Sequence, residues 1–538
     1  MYKVIVTDSI SDSGLKALYD HPNFTVDKKS GLSPEELKEI IKDYDALIVR
    51  SQTQVTEDLL NAAEKLRVVA RAGVGVDNID INAATRKGIL VINAPGANTI
   101  SAAEHTMAMM LSLARRIPHA HMSTSAGNWD RNAFKGVELY EKTLGVIGMG
   151  KIGAEVAKRA QRFGMKILGY DPYLTEERAN QMNITKATLY DIAREADFIT
   201  VHTPLTKDTK GLINDDYLAK TKKGVRIINC ARGGIIDEDA LVRGLNSGQV
   251  AGAAIDVFET EPASNQELLS HPHAIVTPHL GASTVEAQEK VAQEVSEEII
   301  DIFETDSIHH AINMPQVSGE TQKKLQPFID LGEQIGILAI QLLKNAPDKI
   351  DIHYYGNLAK EDNNLLTRTM IKGILSYHLS DSVNMVNALH LLNDQGVSFN
   401  VMKNPESKGF ASYMELTLHH GDHHSTIGAT VLNGYGARIV KMNEYRVDVR
   451  PERYLLYIEH HDVPGMIGRV GSILGNHDIN IGTMQVGRAE AGGDANMVLT
   501  LDKKVNDEVA KELVEMDGLK AVQFLEIPNG HLPAYNMQ

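Results

Sequence analysis

A single cysteine, Cys230, among 538 residues excludes an intrachain disulfide framework and suits a reducing compartment. Aromatic residues are scarce at 5%, and there is one tryptophan. No apolar run approaches the roughly 20 residues needed to cross a bilayer. Basic residues are outnumbered: 54 Lys and Arg against 70 Asp and Glu leave a formal net charge of −16. That balance argues against nonspecific nucleic-acid binding and against an anionic membrane surface. Any anionic ligand must be gripped by local cations working against the global field. No signal peptide is expected either. The first residues, M-Y-K-V-I-V-T-D-S, already read as a strand, so the expected location is the cytoplasm. What is present, 43% hydrophobic and 23% charged residues, is ordinary for a globular chain too long for one core.

Residues 1 to about 97 alternate β-branched runs (Tyr2–Thr7, Ala46–Val49, Val68–Ala70, Leu90–Ile92) with helical patterns such as Ser33–Lys42, where Pro34 stands in the first turn. Such alternation implies a parallel sheet. A long amphipathic helix is expected from about Ile100 to Arg116. Six further strands follow, at Leu144–Ile147, Lys166–Tyr170, Phe198–Val201, Arg226–Asn229, Gly252–Ile255 and Ala274–Val276, enough for a doubly wound sheet. A helical stretch at Glu286–Phe303 runs into I-N-M-P-Q-V-S-G-E, read as a domain boundary on Pro315 and Gly319. Residues 320–452 read as mixed α/β, with helical patterns at Glu320–Leu343, Leu365–Leu375 and Val383–Leu392 before probable hairpins. From Tyr454 the order is strand, helix, strand, strand, helix, strand, the ferredoxin-like unit.

The segment T-L-G-V-I-G-M-G-K-I-G carries the clearest chemistry. A strand runs into Gly148, Gly150 and Gly153, and Asp171 closes a second strand about eighteen residues later. Glycines here permit a tight turn, close approach to a pyrophosphate and close packing of helix on sheet. The helix starting at Lys151 and Ile152 would present its positive end to the phosphates. Asp171 would accept hydrogen bonds from ribose hydroxyls and repel a 2′-phosphate, favouring NAD over NADP. Three polar clusters follow later strands: I-I-N-C-A-R-G-G-I-I-D, A-A-I-D-V-F-E-T-E-P and V-T-P-H-L-G-A-S-T. They should bring Arg232, Asp256, Glu261 and His279 to one edge of the sheet.

These strings, with V-H-T-P-L and with R-A-G-V-G-V-D-N-I-D at Arg71–Asp80, resemble the D-isomer-specific 2-hydroxyacid dehydrogenases. The two further C-terminal domains resemble those of the family's long, phosphoglycerate-oxidising members. The resemblance implies a flavodoxin-like substrate-binding domain (1–97 plus 287–312) holding an inserted Rossmann NAD-binding domain (98–286). It then implies an intervening domain with a possible anion site (318–452) and an ACT regulatory domain (453–528). His279 would exchange the C2 hydroxyl proton, a task suited to imidazole near neutral pH. Glu261 would orient His279, and Arg232 would hold the substrate carboxylate in a charge-assisted fork. Asp256 would meet the nicotinamide carboxamide. Thr203, Cys230, Ala231, Gly281 and Ala282 would line the cofactor, although a small buried hydrophobe is an equally good reading of Cys230.

Substrate choice would lie with Arg50, Ser51, Arg71, Gly73 and Val74, and with Arg131, which would reach across from a neighbouring subunit of a homotetramer. These arginines favour D-3-phosphoglycerate over an uncharged hydroxy acid. The sequence leaves open another 2-hydroxy acid, reduction of 2-oxoglutarate, or a nucleotide-sensing binding protein on the same fold. In the last domain H-H-D-V-P-G-M-I-G-R-V and D-I-N-I resemble an ACT effector site. His460, Asp462 and Asn480 would grip L-serine, with a purely dimerising domain as the alternative. Arg438, Lys441 and Arg450 are candidates for the anion site, or else a solvated basic face. No metal site is expected.

Overall fold

The computed structural model describes residues 1–316, 319–379, 382–488 and 492–528. Four sheets organise the chain. The first is wholly parallel, with the strand order Phe24–Lys28, Tyr2–Val6, Ala46–Val49, Val68–Arg71, Leu90–Asn93. This 2-1-3-4-5 order is flavodoxin-like. Its edge strand Phe24–Lys28 was not among the expected runs, because F-T-V-D-K mixes charged and apolar residues. An edge strand tolerates that mixture, since one side is open to water.

The second sheet has seven parallel strands, in the order Ala274–Val276, Val250–Ile255, Val225–Asn229, Phe198–Val201, Thr143–Ile147, Lys166–Tyr170, Thr185–Lys186. Order reverses between Thr143–Ile147 and Phe198–Val201, which is the switch point where a doubly wound sheet opens a crevice. The extra strand, Thr185–Lys186, is only two residues long and left no periodic signal. Both parallel sheets are buried on both faces, as their uninterrupted Val, Ile and Ala runs require.

Two helices bridge these domains. Thr99–Arg115 leaves the first sheet for the second, and Val285–Thr305 returns. Ser101 Oγ and Thr284 Oγ1 lie 2.7 Å apart where the crossings meet. The returning helix packs Val291, Ala292, Val295 and Ile299 against the first sheet, so residues far along the chain complete its core.

The remaining sheets are mostly antiparallel. Gly319 begins the helix Gly319–Leu343 rather than lying in a linker; residues 317 and 318 of the expected boundary fall outside the described residues. That helix and Asn364–Leu379 cover a six-stranded sheet ordered Ser398–Asn404, Lys349–Gly356, Ser412–His420, His423–Leu432, Gly436–Met442, Tyr445–Val449. The expected helix from Val383 starts only at Ala388. Asn384 and Asn387 exchange side-chain-to-backbone bonds that hold a turn instead. The last sheet is ordered Ile481–Arg488, Asp494–Leu501, Tyr454–His461, Leu519–Glu526 and carries the helices Met466–Asn476 and Asp507–Val514. Its connectivity is the expected βαββαβ.

Candidate active site

The cleft between the two parallel domains gathers the carboxyl ends of both sheets. On the first domain, Asp8 is buried and its carboxylate accepts from the backbone N–H groups of Arg50 (2.6 Å), Gln52 (3.1 Å) and Thr53 (3.1 Å). Asn78 Nδ2 donates to the carbonyls of Arg50 (3.0 Å) and Thr53 (2.7 Å). These bonds set the loop that presents Arg50. Arg71, at the end of its strand, folds over Gly73; a Cβ there would lie 1.8 Å from Arg71 Nη1. Glycine at 73 is therefore a condition for that arginine's pose.

Arg50, Arg71 and Arg232 line one cavity with Ser9, Asn98 and His279. Burial, then the neighbouring Arg50 and Arg232 charges, push the Arg71 guanidinium down to about 10, so it is still charged at neutral pH. Its Nε is buried with no hydrogen-bond partner among the described residues, as is Asn98 Oδ1. A crowd of cations, with the Arg71 Nε donor unmet, is poised for an anion. Asp77 Oδ2, 3.7 Å from Arg232 Nε, is an exposed counter-charge.

The chemistry-bearing pair stands at the rim. His279 Nδ1 and Glu261 Oε2 are 2.8 Å apart, and Phe258 N–H donates to Glu261 Oε1 at 3.2 Å. With Nδ1 donating to Glu261, Nε2 is left as the acceptor. His279 itself has a left-handed backbone, φ 54°.

The nucleotide side fits a dinucleotide. Gly148 has φ 98°, and a Cβ there would lie 2.5 Å from the His202 carbonyl. At Gly153 a Cβ would lie 2.0 Å from the Gly148 carbonyl. Gly150 faces free space that a Cβ would partly fill, and it begins the helix Lys151–Arg162 with no side-chain cap. The helix's first N–H groups are thus open to phosphate. Asp171 takes one bond on each oxygen, from Met149 N–H (3.0 Å) and Tyr173 N–H (2.9 Å), and keeps lone pairs for ribose hydroxyls. Thr203 Oγ1 is buried without a partner among the described residues.

The other expected residues differ in burial. Asp256 is buried, and both its carboxylate oxygens accept from backbone amides of the loop that follows His279. Cys230 is buried, and burial with the Asp256 charge pushes its thiol up to about 12; it is a core side chain beside Thr106. Gly281 is also buried, whereas Ala282 lines the cavity and Ala231 is half-buried. Val74 and Gly73 line the cavity, while Ser51 is exposed next to Arg50. Arg131 is exposed and absent from the cavity lining of its own chain. In the C-terminal half, Arg438 pairs with Asp448 (3.1 Å) and Lys441 with Glu415 (3.2 Å), so neither is a free anion ligand or a solvated face. Arg450 is exposed. Asp8, Asp77 and Asn98 were not anticipated. Asp77 stood inside the string R-A-G-V-G-V-D-N-I-D, while Asp8 and Asn98 were only polar residues shortly after a strand, which is common in loops.

Comparison with known proteins agrees along the chain. The NAD binding domain of D-isomer specific 2-hydroxyacid dehydrogenases matches residues 107–281, the D-3-phosphoglycerate dehydrogenase intervening domain 324–443, and the ACT domain 454–518. A D-3-phosphoglycerate dehydrogenase from Bacillus subtilis (strain 168) is 45% identical over 98% of this chain and 100% of its own. One from Methanocaldococcus jannaschii is 43% identical with the same coverage. Among solved structures, a glyoxylate reductase from Paecilomyes thermophila is 29% identical with a TM-score of 0.53, covering 58% of this chain and 98% of that one. A D-lactate dehydrogenase from Aquifex aeolicus, complexed with NAD and lactic acid, is 30% identical with a TM-score of 0.50, over 56% of this chain and 96% of that one. Matched end to end by relatives of this similarity, the chain belongs to the D-3-phosphoglycerate dehydrogenase family.

Proposed function

We propose that the chain oxidises D-3-phosphoglycerate to 3-phosphohydroxypyruvate, the entry step of L-serine synthesis. The observation that carries this reading is the cavity itself. Three guanidinium groups, Arg50, Arg71 and Arg232, converge there beside the His279–Glu261 pair. A substrate with a carboxylate at one end and a phosphate at the other matches cations from two domains. NAD, when bound, accepts the hydride from C2. Arg232 holds the carboxylate and the C2 oxygen, Arg50 and Arg71 hold the phosphate, and Val74 and Gly73 supply close backbone. His279 Nε2 takes the C2 hydroxyl proton, and Glu261 keeps the ring turned toward it and shares the resulting charge. The nucleotide rests on Gly148, Gly150, Lys151, Ile152 and Gly153, with Asp171 at the ribose.

The assembly belongs to the same reading. Exposed Ile117, Met122, Trp129 (78%) and Tyr140 lie on the segment that follows the hinge helix and carries Arg131. Burying that surface between two copies would bring each Arg131 toward the other's cavity, within a homotetramer in the cytoplasm. L-serine is the proposed effector of the ACT domain. Asp462 and Asn480 flank the helix Met466–Asn476, whose N-terminus has no side-chain cap. His460 is buried with Nε2 lacking a partner among the described residues. An initial-rate assay of NADH formation from 3-phosphoglycerate, with and without L-serine, tests both parts. No turnover would refute the substrate assignment, and no inhibition would refute the effector.

A further inference from the structure

His279 needs something to hold it. A non-glycine residue at φ 54° has a disfavoured left-handed backbone, and such backbones persist where the surroundings fix them. Here the surroundings are Asp256. Its carbonyl accepts the His279 N–H at 2.9 Å, its Oδ1 accepts the Leu280 N–H at 2.8 Å and its Oδ2 accepts the Gly281 N–H at 2.9 Å. Three successive amides of the catalytic loop therefore end on one residue. Asp256 is fully buried, so this carboxylate acts on the site through the loop.

A buried carboxylate must itself be fixed and compensated. Two side chains do so: the Thr277 hydroxyl, which donates to Oδ1, and His105, whose Nε2 lies 3.1 Å from the same oxygen. His105 Nε2 is also 3.4 Å from Thr277 Oγ1, closing a triangle beneath the loop. Hydrogen bonds from His105, Thr277 and the Leu280 amide outweigh burial and hold the Asp256 carboxyl below its ordinary range. His105 rides on the helix Thr99–Arg115, one turn after Ser101, which meets Thr284 where the chain returns between domains. The crossing helix is thus tied directly to the catalytic loop.

His105, Cys230 and Asp256 are also close enough together to suggest a metal site. The bonding argues against it. Both carboxylate oxygens already receive donors, and the Cys230 thiol, pushed up to about 12, resists becoming a thiolate ligand.

We propose that His105 is a positioning residue for hydride transfer: through Asp256 it fixes the backbone that aims His279 at the substrate. This inference rests on the assignment of His279 as the proton acceptor. Displacing that imidazole by a fraction of an ångström is expected to slow turnover while leaving cofactor affinity intact, since Asp171 and the glycine turn make none of the triangle's bonds.

The test compares His105→Leu with His105→Gln, whose terminal amide can still donate to Asp256. His105→Leu should lower kcat by about 10–100-fold with KM for NAD within about 3-fold of wild type. His105→Gln should recover most of the loss, and Asp256→Asn added to His105→Leu should cost little more, because both act on one loop. Unchanged kcat in His105→Leu would overturn the proposal. So would a raised KM for NAD with kcat intact, or a Gln variant no better than Leu. A substrate-free readout separates this from the proposed reaction: modification of His279 by diethyl pyrocarbonate, followed by peptide mass spectrometry. Faster labelling in His105→Leu than in His105→Gln supports the pairing even if phosphoglycerate is not the substrate. Equal labelling in wild type and both variants overturns it.

Discussion

The cleft of the dehydrogenase half and the six-stranded sheet of the C-terminal half treat their cations in opposite ways. In the first, parallel strands end on one side of each sheet, and Arg50, Arg71 and Arg232 come from three separate segments into one cavity. Asp77 stands 3.7 Å from Arg232, while Arg50 and Arg71 form no ion pair among the described residues. In the second, the strands and their loops set cation and anion side by side. Lys441 and Lys408 both reach Glu415, Arg438 reaches Asp448, and Lys349 reaches Asp351. Like charges crowded without partners are a cost that a ligand relieves; charges paired within a sheet hold the sheet together. The first arrangement is a site and the second is a scaffold, although the residue types are the same.

The strongest way to break this contrast is at His279. His279→Ala should lower kcat by about 100–10,000-fold, with NADH binding measured by fluorescence unchanged. Activity near wild type would remove the site from this cleft. Arg71→Ala should raise KM for 3-phosphoglycerate by about 10–100-fold, the loss of one charge-assisted contact of about 1.5–3 kcal/mol. KM for an unphosphorylated 2-hydroxy acid should change far less, and an equal change would reassign Arg71 to general stability.

In the other half the effects should be on stability or regulation. Glu415→Gln leaves Lys408 and Lys441 facing a neutral group, and it should lower thermal stability by about 1–3 kcal/mol without changing kcat. The pH dependence has a definite sign. Despite burial, Tyr413 and the two lysines hold the Glu415 carboxyl below the usual glutamate range. Its stabilisation is therefore complete above about pH 4.3, the unfolded value, and is lost as pH falls through the lower folded value. Denaturant titrations should show wild type losing more stability on acidification below that point than Glu415→Gln. Asp462→Ala should weaken inhibition by L-serine about 10-fold or more while leaving the uninhibited rate unchanged. The smallest effect is expected at Cys230. With its thiol pushed up to about 12, native protein should resist iodoacetamide at pH 7–8 and react readily once unfolded in guanidinium.

Local signals carried much of this molecule. The turn at Gly148–Gly153 was legible because each glycine answers a steric demand within a few residues, and Asp171 because one helix and one strand separate it from that turn. The ferredoxin-like order of the last domain followed from periodicity alone. Edge strands such as Phe24–Lys28 escaped notice because half their residues face water. The partners of Lys441 and Arg438 escaped too, since an antiparallel register decides which carboxylate stands opposite. Asp256 was read as a cofactor contact from its place after a strand. The loop that closes over it is held by Thr277 and by His105, which stands far earlier in the chain.

The sequence by itself determined the sheets, the nucleotide turn and the set of charged residues available for chemistry, because those depend on near neighbours and on the periodicity of apolar side chains. Tertiary structure alone decided which charges stay unpaired and which spend themselves. It turned Asp256 away from solvent to cap the His279 loop, and it brought His105 beneath that loop from a helix that crosses between domains. Burial and pairing are properties of distance in space, and residues separated by a hundred or more positions leave no mark of it on one another.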